Sequence, residues 1–369
     1  MVSPDRPWFA RHPMRALLAV NVAVFAAILL VAEITLRIVI PYNPGYYMSV
    51  TGQSGELVFP YGTIYLNSDG FSDKEFDLSN PRRIGHFGDS VTFGTGAGYG
   101  YRVSELLEEA YPEYEHMNFG GVDLSASASS MAYFKKLAAR YEIEKAIYLF
   151  NLNDILPDQA VSGETKTTVT RGIGFLRQNL DWLRGKSYVY TWFRNLVKSA
   201  LAVSGTGWQG YTAYEFHPTE YDEVFRETAT RINELARQLD EIGVELTVVL
   251  LPYEMQISSE AADAYGKLGV QWEEGFVDGK AQRLLARHMD PAVHTIDAYT
   301  AFVAPDAVEA SRARNGLGEY FVYDKGDKLD WNHPNRAGHR KIADYLVREE
   351  VFGPPTREID AAAARGAGE

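Results

Sequence analysis

The sequence predicts an α/β protein: a mainly parallel sheet of five strands with helices on both faces, preceded by one N-terminal transmembrane helix. Three observations lead there. From residue 83 onward, short apolar runs of strand length alternate with amphipathic helical stretches. The first forty residues hold a long apolar run with basic residues clustered before it. The 369 residues, 46% hydrophobic and 13% aromatic, suffice to bury the core of one large or two ordinary domains.

The N-terminal element comes first. Ala16 to Ala32 is apolar apart from Asn21, and the character resumes through Ile34, Leu36, Ile38, Val39 and Ile40. Seventeen residues reach only about 25 Å, and extension to Ile40 more than covers a hydrocarbon core of ~30 Å. Glu33 and Arg37 fall inside that extension, spaced i,i+4 with the acid first, the better order for mutual neutralisation near an interface. Arg6, Arg11 and Arg15 precede the span, whereas the next basic residue after Arg37 is Lys74. The positive-inside bias then leaves residues 1–15 in the cytoplasm, makes 16–40 a signal anchor, and places the rest outside the membrane. A cleaved signal peptide also starts basic, but its apolar region is shorter and ends at a small-x-small site; none follows Val31-Ala32-Glu33.

Residues 41–82 carry turn residues and aromatics, as in Pro44-Gly45-Tyr46-Tyr47, and read as a neck. Strands are expected at Arg83 to Phe87, His116 to Phe119, Ala146 to Phe150, Glu245 to Leu251 and His294 to Ile296, with helices over Tyr101 to Ala110 and Ser129 to Tyr141. Tyr221, Phe225, Ile232, Leu235, Leu239 and Ile242 recur at helical spacing and stop at Gly243. The main domain runs over 83–352, and 353–369 reads as a frayed tail. Residues 156–219 are far longer than a usual connection and read as a cap insertion. Between residues 166 and 198 seven basic side chains oppose Asp181, while Phe175, Leu176, Leu180, Leu183, Trp192 and Phe193 recur at roughly helical spacing. That pattern fits a cap helix with a solvated basic face, or contact with anionic lipid or an anionic polymer.

Composition excludes several classes. A formal charge of −13 argues against nucleic acid, whose phosphates demand clustered Lys and Arg. Zero cysteines exclude disulfides, thiolate metal sites and a cysteine nucleophile. The histidines show no metal-ligand spacing, and His86 and His116, beside strands, read as core or edge residues.

Chemistry concentrates in four segments. Gly88-Asp89-Ser90-Val91-Thr92-Phe93-Gly94 follows the first strand directly, which puts Ser90 where ligands bind in open α/β sheets. A serine hydroxyl needs an adjacent base to act as nucleophile. Asp330-Trp331-Asn332-His333-Pro334 offers a histidine and, three residues earlier, a carboxylate that a turn would fold back to fix its tautomer. Each segment alone has a plain structural reading, as a turn or a cap. Between them stand Asn118-Phe119-Gly120-Gly121-Val122-Asp123-Leu124-Ser125 and Asn151-Leu152-Asn153-Asp154.

In order and separation these four segments resemble the blocks of the SGNH/GDSL hydrolase superfamily, over residues 83 to 348. The resemblance implies a three-layer α/β/α flavodoxin-like domain and two-step acyl transfer without metal or cofactor. Ser90 is then the nucleophile, His333 the base and Asp330 its orienting carboxylate, with Asp89 supporting the nucleophile loop. The oxyanion would be held by the Ser90 amide, by Asn153 and by a second-block amide. Two positions depart from the pattern. Asn151 replaces the glycine that opens the third block, and Asp123 stands where the glycine donating its amide is usual. A backbone N–H survives the change, but a carboxylate beside a developing oxyanion opposes catalysis unless it points away, or the register shifts so that Gly120 or Gly121 serves.

A membrane-tethered, outward-facing member resembles the SGNH proteins of bacterial exopolysaccharide and cell-envelope machinery, which remove or transfer acetyl groups on glycans. The implied substrate is an acylated carbohydrate, the implied location the bacterial inner membrane with the domain in the periplasm, and other envelope proteins are implied partners. Three readings stay open: an esterase or deacetylase, an O-acyltransferase with the same triad, and a non-catalytic anchored subunit that keeps the fold.

Overall fold

The computed structural model describes residues 7–39, 55–59, 62–121, 124–155, 187–190, 192–193, 218–257, 278–303, 319–324 and 328–359. After a helical turn at Trp8–Arg11, α1 (Pro13–Val39) runs for 27 residues with none buried. Such a helix is long and apolar enough to cross a membrane. Its Glu33 and Arg37 form the expected i,i+4 ion pair, at 2.7 Å.

A hairpin of β1 (Gly55–Phe59) and β2 (Gly62–Leu66) precedes the central sheet. That sheet is built from β3 (Arg83–Gly88), β4 (Glu115–Asn118), β5 (Lys145–Phe150), β6 (Glu245–Leu250) and β7 (His294–Asp297). All four pairings are parallel, in the spatial order β4-β3-β5-β6-β7. Counted from β3, this is the 2-1-3-4-5 order of doubly wound flavodoxin-like sheets, whose chain direction switches between the first and third strands. The five strands expected from sequence are these five, each within one residue at either end.

β5 and β6 were the most legible, because strands covered on both faces read as nearly continuous apolar runs. Side chains alternate across the sheet. Tyr148 and Phe150 of β5, with Val248 and Leu250 of β6, pack under α4 (Ala128–Arg140) and α5 (Asp222–Asp240). Ile147, Leu149 and Val249 pack on the other face, against α3 (Val103–Ala110) and α9 (Arg336–Arg348). α5 ends at Asp240, before the left-handed Gly243 (φ 78°), and Ile242 is exposed instead of closing its apolar stripe. The remaining helices are short: α2 (Ser90–Phe93), α6 (Glu254–Ile257), α7 (Lys280–His288) and α8 (Tyr299–Phe302).

Residues 62–82, expected as a neck, pack onto the domain. Ile64 and Leu66 are buried, Ser72 Oγ donates to the Phe93 carbonyl at 2.8 Å, and Asp73 accepts the Asn118 amide at 2.7 Å. The early part of the expected tail docks as well. The Thr356 amide reaches the Ala110 carbonyl at 3.0 Å, and Ile359 is buried. A second hairpin, β8 (Phe321–Asp324) with β9 (Lys328–Pro334), carries the Asp330 to Pro334 segment, where a turn was expected.

Candidate active site

The site forms where the carboxyl ends of β3 and β5 lie side by side, at the switch of chain direction. Gly88 ends β3 with φ at +150°. A Cβ there would sit 2.2 Å from Thr92 Oγ1 and 2.8 Å from the Leu149 carbonyl, so only glycine lets the chain turn at once into α2. Asp89 caps that helix, its Oδ1 accepting the Val91 amide at 2.9 Å. Ser90 thereby becomes the first residue of α2, where a backbone N–H has no partner inside the helix.

Ser90 Oγ lies 2.7 Å from His333 Nε2, although 243 residues separate the two. That is hydrogen-bond distance between a hydroxyl and a base. His333 stands in β9, whose pairing with β8 shifts register between Phe321 and Tyr323. Asp330 has its backbone in the same strand, three residues earlier, and its side chain lies outside the described residues. The expected turn between them is extended strand, because the hairpin and not a local turn presents His333.

The third block, Asn151 to Asp154, closes the site from β5. Asn151 precedes the 3₁₀ turn Leu152–Asp154 and caps it, its Oδ1 accepting the Leu152 amide at 2.9 Å. Asn153 Nδ2 donates to Asp89 Oδ2 at 3.0 Å. An amide nitrogen carries two hydrogens, so Asp89 takes one and the other is left over. The Asn153 side-chain oxygen is buried without a hydrogen bond. Asp89 also accepts weakly from Ser90 Oγ, at 3.4 Å. Burial pushes the Asp89 carboxyl above its ordinary range, against the opposing pull of the Val91 amide, His333 and Asn153.

Asn151, the departure from glycine, has a use of its own: its Nδ2 donates to the Asn332 carbonyl at 3.3 Å, tying the third block to the residue before His333. Asp154 is fully buried, accepts from Tyr148 Oη at 3.0 Å and from the Asn151 amide at 3.2 Å, and is held by burial well above the usual carboxylate range.

The second block is bound to the nucleophile turn from behind. Asn118 Nδ2 donates to the Thr92 carbonyl at 2.7 Å and to Ser104 Oγ at 3.0 Å. A Cβ on Gly120 would meet the Phe93 amide nitrogen at 2.2 Å, so glycine there permits close backbone approach to α2. The amides of the alternative register have partners within the protein. The Gly121 amide donates to the Gly88 carbonyl at 3.1 Å and the Gly120 amide to Asn118 Oδ1 at 2.9 Å. Asp123 lies outside the described residues.

Sequence reasoning missed the Asp89–Asn153 and Asn151–Asn332 ties, which join residues far apart in the chain and leave no local pattern. It also missed that His86 and His116, on adjacent strands, are hydrogen-bonded to each other at 2.8 Å and buried. Among the described residues, no group of three or more His, Asp or Glu is placed to hold a metal ion.

No protein-family model matches the chain, and no curated protein matches it in sequence. Solved structures similar to it include a lipolytic protein of the G-D-S-L family from Veillonella parvula, 15% identical, covering 72% of this chain and 97% of that one with a TM-score of 0.36. A G-D-S-L family protein from Desulfitobacterium hafniense is 11% identical, with 72% and 98% covered and a TM-score of 0.36. An acetyl-xylooligosaccharide esterase from Geobacillus is 13% identical, with 73% and 93% covered and a TM-score of 0.37.

Proposed function

We propose that the chain is a membrane-anchored serine ester hydrolase of the SGNH/GDSL type, acting outside the membrane on acyl esters, acetyl above all, of an envelope or exported carbohydrate. The observation that carries this reading is the Ser90–His333 contact of 2.7 Å at the end of β3, beside the third-block Asn153. In the first step Ser90 Oγ attacks the ester carbonyl carbon while His333 Nε2 takes its proton. The tetrahedral oxyanion is met by the Ser90 amide and the second N–H of Asn153 Nδ2. Collapse releases the sugar alcohol, which leaves with the proton from His333, and acyl-Ser90 remains. Water, deprotonated by the same histidine, then releases the carboxylic acid and regenerates Ser90. Asp330 orients the imidazole in this scheme.

Two features support retention of α1 as an anchor. Arg6, Arg11 and Arg15 precede it while the next base after Arg37 is Lys74, which sets the domain outside. Glu33 of α1 also accepts hydrogen bonds from Ser187, Tyr188 and Val189, donors that cleavage of the helix would strand.

One observation favours a second reading, a non-catalytic subunit that keeps the fold: the Gly120 and Gly121 amides are both engaged within the protein. The deciding experiment exposes the full chain to a serine-directed fluorophosphonate. Wild type should be labelled on Ser90 and Ser90→Ala should not. A folded wild type inert to the probe, to aryl acetates and to acetylated sugars would leave the subunit reading standing.

A further inference from the structure

The insertion that follows β5 is described at 187–190 and 192–193, and there it meets α1. The Glu33 carboxylate accepts from Ser187 Oγ at 2.9 Å and from the Tyr188 and Val189 amides at 3.0 Å each. Arg37 Nε donates to the same carboxylate at 2.9 Å, and its guanidinium lies 4.7 Å from the centroid of the Tyr188 ring. Residues 188–190 are helical, and Ser187 Oγ accepts the Tyr190 amide at 3.2 Å. The opening N–H groups of a helix have no partner within it. Here Glu33 and Ser187 supply partners for three of them in succession. Water does this at an aqueous surface, whereas in hydrocarbon each unmet N–H costs several kcal/mol, so a carboxylate lent by a neighbouring helix matters most where water is scarce.

The surroundings of this clamp are apolar. Val189 and Trp192 close a groove of about 670 Å³ against Val24, Ile28, Val31 and Leu36 of α1. Trp192 and Phe193 remain 47% and 54% exposed. From Ala16, about 30 Å of α1, the thickness of a hydrocarbon core, reaches Leu36, which sets Glu33 within one turn of the outer boundary and most of the groove in the outer leaflet. Tyr188, Tyr190 and Trp192 then cluster close to that boundary, where aromatic residues gather in membrane proteins.

We infer that the segment carrying Tyr188, Val189, Trp192 and Phe193 is a membrane-seated foot of the insertion, clamped to the anchor by Glu33, with outer-leaflet acyl chains filling the groove and covering Trp192 and Phe193. The inference rests on the reading of α1 as a retained span. Its occupant is lipid because the groove lies on a helix with no buried residue, around which acyl chains are the medium once it spans. A second membrane contact of this kind restricts rotation of the domain about its single tether and directs the insertion to esters presented at the membrane surface.

The absence of cysteine allows a spin label at one chosen position. Full-length Phe193→Cys, labelled and reconstituted in vesicles of phosphatidylethanolamine and phosphatidylglycerol, should collide with oxygen far more than with a water-soluble nickel chelate. Leu18→Cys, on α1, reads the span itself. Adding Glu33→Ala should turn the Phe193 label towards water, and Glu33→Gln, which keeps one acceptor oxygen, should do so less. A Leu18 label in lipid with a Phe193 label in water overturns the foot while the anchor stands. A Leu18 label in water overturns the anchor and the foot with it. A Phe193 label shielded from both reagents overturns lipid as the occupant in favour of protein, from a second copy or a partner. A Phe193 label that stays in lipid with Glu33→Ala overturns the clamp.

Discussion

Ser90 stands at the end of a central parallel strand with Gly88, Asp89, Val91 and Thr92 buried around it, whereas His333 stands in a two-stranded antiparallel hairpin outside the main sheet. The serine side is held by backbone and burial: α2 docks on Gly120 with no room for a side chain, and Asn118 is fully buried beneath it. The histidine side is held by side chains reaching across to backbone. Asn335 Nδ2 donates to the Glu319 carbonyl at 3.1 Å and the Phe321 carbonyl at 3.0 Å, while its Oδ1 caps α9. Arg336 Nε donates to the Ala97 carbonyl at 3.0 Å, and Asn151 ties down Asn332. The difference teaches where the site is adjustable. Moving Ser90 means repacking the core, while moving His333 means breaking a few polar ties of roughly 1 kcal/mol each.

The largest expected effect tests whether both sides work as one unit. Ser90→Ala and His333→Ala should each lower turnover of aryl acetates by roughly 10⁴-fold or more, with the double mutant hardly worse. Additive losses would show that the two supports serve separate functions. Asn153→Ala should follow, at roughly 10² to 10³ in kcat, with a modest fall in melting temperature from the lost bond to buried Asp89. A loss confined to KM would place Asn153 in substrate binding instead.

Asn151→Gly cuts the tie to Asn332 and removes the cap on the Leu152 amide. With the base loosened and the nucleophile untouched, kcat should fall about tenfold, the equivalent of one hydrogen bond of ~1.4 kcal/mol. Undiminished kcat would mean that the hairpin positions His333 without that tie.

The smallest effect concerns acid. His86 and His116 lie on β3 and β4, on the Ser90 side, and His339 lies in α9 on the His333 side, its Nδ1 accepting the Val103 amide at 3.3 Å. Burial holds His116 and His339 down to about 3 and His86 well below its ordinary value. Below about pH 6.5 the unfolded chain takes up protons at these positions that the folded chain refuses, so stability falls as pH drops towards 3. Each histidine contributes a slope of about 1.4 kcal/mol per pH unit inside that window. Urea unfolding between pH 7 and 5 should lose about one histidine's share of slope in His339→Gln. An unchanged slope would assign acid sensitivity to the His86–His116 pair alone.

Legibility followed the same division. β5 and β6 could be read because parallel strands buried on both faces are nearly continuous apolar runs. β9 could not, because its alternation is confined to Leu329 and Trp331 among polar residues, too short to separate a strand from a turn before its pairing with β8 is seen. Ser90 and His333 were legible as residue types in recurring local motifs, but the engagement of the Gly121 amide by Gly88 was not, since every residue has an amide and only packing assigns its partner.

By itself the sequence determined the five strands of the central sheet and the longer helices beside it, the apolar N-terminal helix and the short segments able to carry nucleophile, base and oxyanion donor, because these are written in local periodicity and in the special needs of glycine, asparagine and aspartate. The tertiary structure alone decided the 2.7 Å meeting of Ser90 with His333, the use of Asn151 as a tie, the pairing of His86 with His116 and the clamp of Glu33 on the insertion. Each of those is a contact between residues distant in the chain, and no local preference encodes which distant group a polar side chain will meet once the core has closed around it.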